Sequence, residues 1–185
     1  MDDESRVKST TLTTRTLLLM RHADAEYGVM ADFQRPLSLR GRQQAFAAGH
    51  VLLSKYGPSL VLCSTAVRAQ STLDLVFKEK NAKTDVISTP ALYEASASTM
   101  LEVIRDAGTS WTVEPSCLLV IAHEPTLSIL ADQLAGPDSD PGATHMVRVG
   151  VMTAGVIALE FSSSWQELSP GSTTLTRIMP PPARG

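Results

Sequence analysis

The stretch Cys117–Gly136, CLLVIAHEPTLSILADQLAG, carries the pattern on which the fold reading turns. Cys117–Ala122 is an unbroken apolar run of strand length, as expected for a strand covered on both faces of a sheet. A helix is expected from Pro125 to Ala135. Proline stands near its start and Gly136 just after its end, the usual asymmetry of helix termini. A buried strand that leads straight into a helix is the unit from which parallel α/β sheets are built.

The same alternation appears on both sides of this stretch. TLLLM (Thr16–Met20) reads as the first strand and LVLCS (Leu60–Ser64) as the second. Between them, Ser38 has the chemistry of an N-cap, and a helical pattern runs to about Lys55, where Gly57-Pro58 stops it. A second helix is expected from Ala66 to about Lys80. DVIS (Asp85–Ser88) gives a short third strand, and Ser98 to about Ala107 a third helix, ended by Gly108. Beyond the central stretch, PDSDPG (Pro137–Gly142) reads as a turn-rich surface loop. GVIALEF (Gly155–Phe161) is a strand, and Trp165–Leu168 with Thr173–Met179 is expected to form a closing hairpin. The fold class expected is α/β, a three-layer sandwich with a mainly parallel central sheet.

The chain has 185 residues, 43% of them hydrophobic, enough for one well-filled domain and too little for two comfortable ones. The expected division is a flexible N-terminal tail at 1–14, opening on Asp2-Asp3-Glu4, a single domain at 15–179, and a tail at 180–185, PPPARG. A net charge of −3 gives no footprint of a general nucleic-acid binder. Cys63 and Cys117 lie in apolar runs and read as reduced core thiols; two cysteines alone make neither a secreted scaffold nor a zinc site. Residues 1–16 are polar and threonine-rich, without an apolar signal region, and no apolar run approaches the ~20 residues that span a bilayer. The location expected is the cytoplasm, with no membrane partner.

Open parallel sheets place their sites at the carboxyl ends of strands. Arg21-His22 follows the first strand, Ser64-Thr65-Ala66-Val67-Arg68 the second, and His123-Glu124-Pro125-Thr126 the central one. Two arginines and two histidines are therefore sent to one edge. That set suits a phosphoryl group, which carries about −1.5 to −2 charge near neutrality. Arginine forks grip its oxygens, histidine can attack phosphorus or donate to an oxyanion, and the following helix N-termini add N–H donors.

At these positions the chain resembles the histidine phosphatase superfamily, whose members include phosphoglycerate mutases and acid phosphatases. LLLMRHADAE (Leu17–Glu26) is similar to the family signature, with Ala23 where glycine is usual. DFQRPLSLRGRQQA (Asp32–Ala45) resembles the short SixA-type phosphohistidine phosphatases. LCSTAVRAQSTL (Leu62–Leu73), VIAHEPTLSILADQLAG (Val120–Gly136) and MTAGVIALEF (Met152–Phe161) resemble later family segments, so the likeness covers roughly residues 15 to 162. The resemblance implies a phosphoglycerate mutase-like fold and a metal-independent phosphatase without cofactor. It implies His22 as the nucleophile, with Arg21, Arg68 and His123 as the phosphate pocket. Glu94, in LYE (Leu92–Glu94), falls where larger relatives carry their proton donor. Those relatives continue with a glycine-containing motif, whereas this chain reads ASAST. Asp24 and Glu26 are weaker candidates for that acid.

The substrate implied is a phosphorylated protein, such as a histidine-phosphotransfer domain, or a small phosphate ester. Imidazole leaves phosphorus readily, so a phosphohistidine substrate has less need of a strong acid. A small-molecule phosphomonoesterase, a mutase and a non-catalytic phosphate-binding module remain alternatives. The mutase is disfavoured because the long insertions that cover a mutase substrate are missing. Arg35 either braces Asp32 or anchors a phosphorylated partner. Thr126 either caps its helix or donates to phosphate. Glu124 reads as a first-turn acid that suits the helix dipole. His50 reads as structural, and His145 as a surface residue, with substrate contact as the alternative.

Overall fold

The computed structural model describes residues 13–28, 31–79, 84–110 and 114–181. Of the expected tails, residues 1–12 and 182–185 lie outside the described residues. The six strands are β1 (Arg15–Arg21), β2 (Leu60–Ser64), β3 (Asp85–Thr89), β4 (Cys117–Ala122), β5 (Val156–Phe161) and β6 (Thr174–Met179). The five helices are α1 (Leu39–Lys55), α2 (Val67–Val76), α3 (Ala97–Thr109), α4 (Thr126–Leu134) and α5 (Pro141–Val149). Short 3-10 turns occupy Asp32–Gln34, Pro90–Leu92 and Trp165–Glu167.

The strands form one sheet in the order β3-β2-β4-β1-β5-β6. The first four run parallel, β5 is antiparallel to β1, and β6 is antiparallel to β5. Alternate side chains of each strand enter opposite cores. Leu17, Leu19, Leu118 and Val120 face α3, α4 and α5 through Met100, Ile104, Leu127, Leu130 and Val147. Leu18, Met20, Leu119 and Ile121 face α1 and α2 through Ala45, Ala48, Leu52, Ala69 and Leu73. Two cores on two faces make the three expected layers. Each fully buried leucine adds about 1.5–3 kcal/mol relative to exposure.

Four local expectations are corrected. The loop read at Pro137–Gly142 is a turn as far as Ser139, but its last two residues begin α5: Asp140 caps the helix, Oδ1 accepting from the Ala143 N–H at 2.7 Å, and Pro141 opens the first turn. Gly108 does not end α3 but lies inside it, because a Cβ there would sit 2.4 Å from Cγ of Trp165. Trp165–Leu168 is no strand. Residues Trp165–Glu167 form a 3-10 turn, closed by a Ser164/Glu167 capping box, and β6 makes its hairpin with β5 instead. Finally, α2 stops at Val76, before the expected Lys80. Its end is pressed against α1, where a Cβ on Gly49 would lie 2.4 Å from the Val76 carbonyl oxygen.

Candidate active site

The carboxyl ends of β1, β2 and β4 open into one cavity of about 420 Å³. Its wall includes Arg21, His22, Arg68 and His123, joined by Asp32, Tyr93, Glu94 and Thr126. The chain after β1 is held there from several sides. The His22 N–H donates to the Ala122 carbonyl, and the Ala154 N–H to the carbonyls of Arg21 and His22. The Ala23 N–H donates to Thr72 Oγ1 of α2, and the Asp24 N–H to Gln44 Oε1 of α1. Ala23 occupies its position without a left-handed backbone; among the described non-glycine residues positive φ occurs at Glu94 and Ala154.

His22 is buried, and its Nδ1 lies 2.8 Å from the Ala23 carbonyl oxygen. A carbonyl accepts only, so Nδ1 carries the ring hydrogen and Nε2 holds the lone pair. Nε2 accepts from Arg68 Nε at 3.1 Å. Burial, aided by the charges of Arg68 and Arg21, pushes the His22 pKa down to about 4, although the Ala23 hydrogen bond opposes this. His22 is thus neutral near pH 7. His123 lies beside it, ring centroids 5.2 Å apart. Its Nδ1 is 3.3 Å from Arg68 Nη2 and its Nε2 is 2.8 Å from Ser64 Oγ. Burial, then His22 and Arg68, push its pKa down to about 3.

Arg68 is the hub. Besides both histidines it donates from Nη1 to the Asp32 carbonyl oxygen at 2.6 Å and from Nη2 to Asp32 Oδ2 at 2.9 Å. Arg35 Nη1 reaches Asp32 Oδ1 at 2.9 Å, and the Tyr93 hydroxyl donates to Oδ2 at 3.0 Å. Partial burial works to raise the Asp32 pKa, but the hydrogen bonds from Arg35, Tyr93 and Arg68 overrule it and hold it at about 2. Arg21 Nη1 donates to the Val151 carbonyl at 2.9 Å, while its buried Nε has no protein partner. The edge therefore gathers two guanidiniums, a neutral imidazole whose Nε2 lone pair accepts from Arg68 Nε, and a second imidazole.

The model of the histidine phosphatase superfamily (branch 1) matches residues 17–103, a span that ends before β4. An uncharacterised protein of Mycobacterium tuberculosis is 35% identical over 159 residues, 84% of this chain and 96% of its own. A Nakamurella multipartitia protein, provisionally assigned as the phosphohistidine phosphatase SixA, superposes with a TM-score of 0.76 at 29% identity, covering 92% of this chain and 98% of that one. The chain belongs to the histidine phosphatase superfamily. Its likeness within the family is to SixA-type proteins, and a SixA solved with tungstate has the same fold, with a TM-score of 0.71 at 21% identity over 90% of this chain and 97% of that one.

In this histidine phosphatase the four expected pocket residues converge on one cavity. Glu94 lies on the rim, exposed, with a left-handed backbone at φ 57° that costs a non-glycine residue energy. Thr126 does not cap α4. Its hydroxyl turns to donate to the Ala95 carbonyl at 2.7 Å, tying the Glu94 loop to the helix start. Arg35 braces Asp32 and also donates from Nε to the Glu26 carbonyl. Asp24 is committed to α1, its Oδ2 accepting from Ser38 Oγ at 2.6 Å. Glu124 is tied down at Oε1 by Ser128 Oγ and the Val151 N–H, while Oε2 is buried without a protein partner. His50 stacks edge-on against Phe46 at the surface, and His145 lies on α5 outside this cavity. Ser64 and Tyr93 carried no expected role of their own; the signal that could have found them is their place beside Thr65-Ala66-Val67-Arg68 and beside Glu94.

Proposed function

We propose that the protein is a metal-independent phosphatase that transfers a phosphoryl group to Nε2 of His22, and that its substrate is phosphohistidine on a protein. The observation that carries the reading is the bond from His22 Nδ1–H to the Ala23 carbonyl at 2.8 Å. It leaves a neutral, correctly oriented lone pair beside Arg21, Arg68 and His123. In the first step Nε2 forms a bond to phosphorus as the substrate's P–N bond breaks, and the departing imidazole takes that electron pair and a proton from solvent. In the second, water attacks phosphorus, the His22 N–P bond breaks, and its electron pair returns to Nε2 as inorganic phosphate leaves. The guanidiniums of Arg21 and Arg68 stabilise the equatorial oxygens in both steps.

The acids around the cavity support a substrate whose leaving group needs little help. Asp32, held at about 2, is ionised and cannot donate a proton at neutral pH. Glu94 is exposed at the rim. The SixA-type likeness agrees with a phosphorylated protein, and the cytoplasm is the compartment in which such signalling proteins and the buried thiols of Cys63 and Cys117 belong. A small-molecule phosphomonoesterase is the second reading, favoured by the presence of Glu94 in the cavity wall.

Hydrolysis rates on a panel of phosphohistidine protein, sugar phosphates and nucleotides test the substrate. Faster turnover of the esters would overturn the phosphohistidine reading. With labelled substrate, an acid-labile, base-stable label should appear on the protein and be absent from His22→Ala. Retention of more than a few per cent of activity by that variant would remove His22 as nucleophile. Activity should survive EDTA.

A further inference from the structure

His123 stands between two neighbours that make opposite demands on its ring. Arg68 Nη2 lies 3.3 Å from Nδ1, and a guanidinium only donates, so this contact asks for the lone pair on Nδ1. Ser64 Oγ lies 2.8 Å from Nε2. Ser64 is fully buried, and its Oγ already accepts from the Ala66 N–H at 3.3 Å. Its own hydrogen needs an acceptor, because a buried hydroxyl without one is costly. Among the described residues, Nε2 is the acceptor the geometry offers it. This second contact asks for the lone pair on Nε2.

A neutral imidazole has one lone pair and one N–H, so His123 cannot meet both demands from these two neighbours alone. An anion in the cavity removes the conflict. A phosphoryl oxygen accepts from Arg68 Nη2 and from a His123 Nδ1–H together, while Ser64 donates to Nε2. We propose that Ser64 is a positioning residue for phosphoryl transfer: its hydroxyl donates to Nε2 of His123 and so holds the ring hydrogen on Nδ1, facing the phosphoryl group. The inference rests on the reading that this cavity binds a phosphoryl group. His123 then acts as a neutral N–H donor rather than as an imidazolium. Its contribution does not fade as pH rises past the ordinary histidine range.

The test is nitrogen NMR of protein carrying 15N-labelled histidine rings, with His123 assigned by comparison with His123→Gln. In wild type loaded with inorganic phosphate at pH 7, Nδ1 should read as N–H and Nε2 as the lone-pair nitrogen. Ser64→Ala should lose that signature and bind phosphate roughly tenfold more weakly, the loss of one hydrogen bond to the ring. Ser64→Thr keeps the hydroxyl and should restore both. A hydrogen on Nε2, or an imidazolium, in the phosphate-loaded wild type overturns the proposal. So does wild-type affinity in Ser64→Ala, or failure of the wild type to bind phosphate. The wild-type spectrum decides the matter even if Ser64→Ala does not fold. Because no turnover is measured, an enzyme that hydrolysed nothing on the substrate panel would sink the phosphatase reading and leave this result standing.

Discussion

Arg68 meets its future ligand already occupied. Its Nη groups hold the Asp32 carboxylate and carbonyl, and its Nε holds the lone pair with which His22 attacks in the proposed mechanism. A phosphoryl group has to displace part of this arrangement, and Asp32 is the anion it competes with. Asp32→Asn should therefore tighten orthovanadate or phosphate inhibition by roughly tenfold, about one charge-assisted hydrogen bond's worth. The Asp32 side chain is 52% exposed, so stability should change little. Weaker inhibition would instead make Asp32 an aligner of Arg68. Glu94→Gln addresses the leaving group. It should slow alkyl phosphate esters at least tenfold, since an alkoxide needs a proton, and leave phosphohistidine nearly untouched. Equal losses on both substrates would remove the leaving-group argument. Arg21, His22, Arg68 and His123 were legible in the sequence because each lies at or shortly after the carboxyl end of a strand. Asp32 was legible as a partner of Arg35, three residues on, but its contact with Arg68 was not, nor were those of Ser64 and Tyr93, because these contacts join segments from distant parts of the chain that no local pattern connects.

At the scale of elements, Gly108 shows how a local signal can mislead. Read as a helix stop, it is the point where α3 touches Trp165. The indole cannot yield easily: its N–H donates to the Pro115 carbonyl at 2.8 Å, and its ring meets Phe161 edge-on at 4.9 Å. Gly108→Ala should overpack this contact and destabilise the protein by about 1–3 kcal/mol. Urea unfolding should show a lower midpoint at unchanged slope, with activity per folded molecule retained; an unchanged midpoint would mean the indole moves freely. The strands were easier to read than the helix ends. Continuous apolar runs report burial on both faces, which is a property of the residues themselves. Helix ends such as Val76 are set by what packs against them, and α5 was hidden by a loop-like composition in which Asp140 and Pro141 are a cap and a first turn.

For the whole molecule, the two site histidines make stability depend on pH. Their folded pKa values, about 4 for His22 and about 3 for His123, lie below the ordinary 6.5. Below pH 6.5 the unfolded chain binds protons that the folded one refuses. Their contribution is thus fully present above pH 6.5 and shrinks as pH falls towards 4 and then 3. Urea midpoints measured between pH 7.5 and 4 should fall with acidification, and fall less in a His22→Asn, His123→Asn double variant; parallel curves would refute the assignment. The strand order has a further consequence for how the protein is made. β1 ends on Arg21 and leads directly into His22, yet both of its neighbours, β4 and β5, come from the later half of the chain. β2 likewise reaches β1 only across β4. As the polypeptide leaves the ribosome, His22 emerges early and waits about a hundred residues for the strand that fixes it, a delay that folding units can bridge only after β4 appears. A nascent chain released before β4 lacks both the strand that joins β1 to β2 and the segment that carries His123, so premature termination leaves no fragment with the assembled cavity.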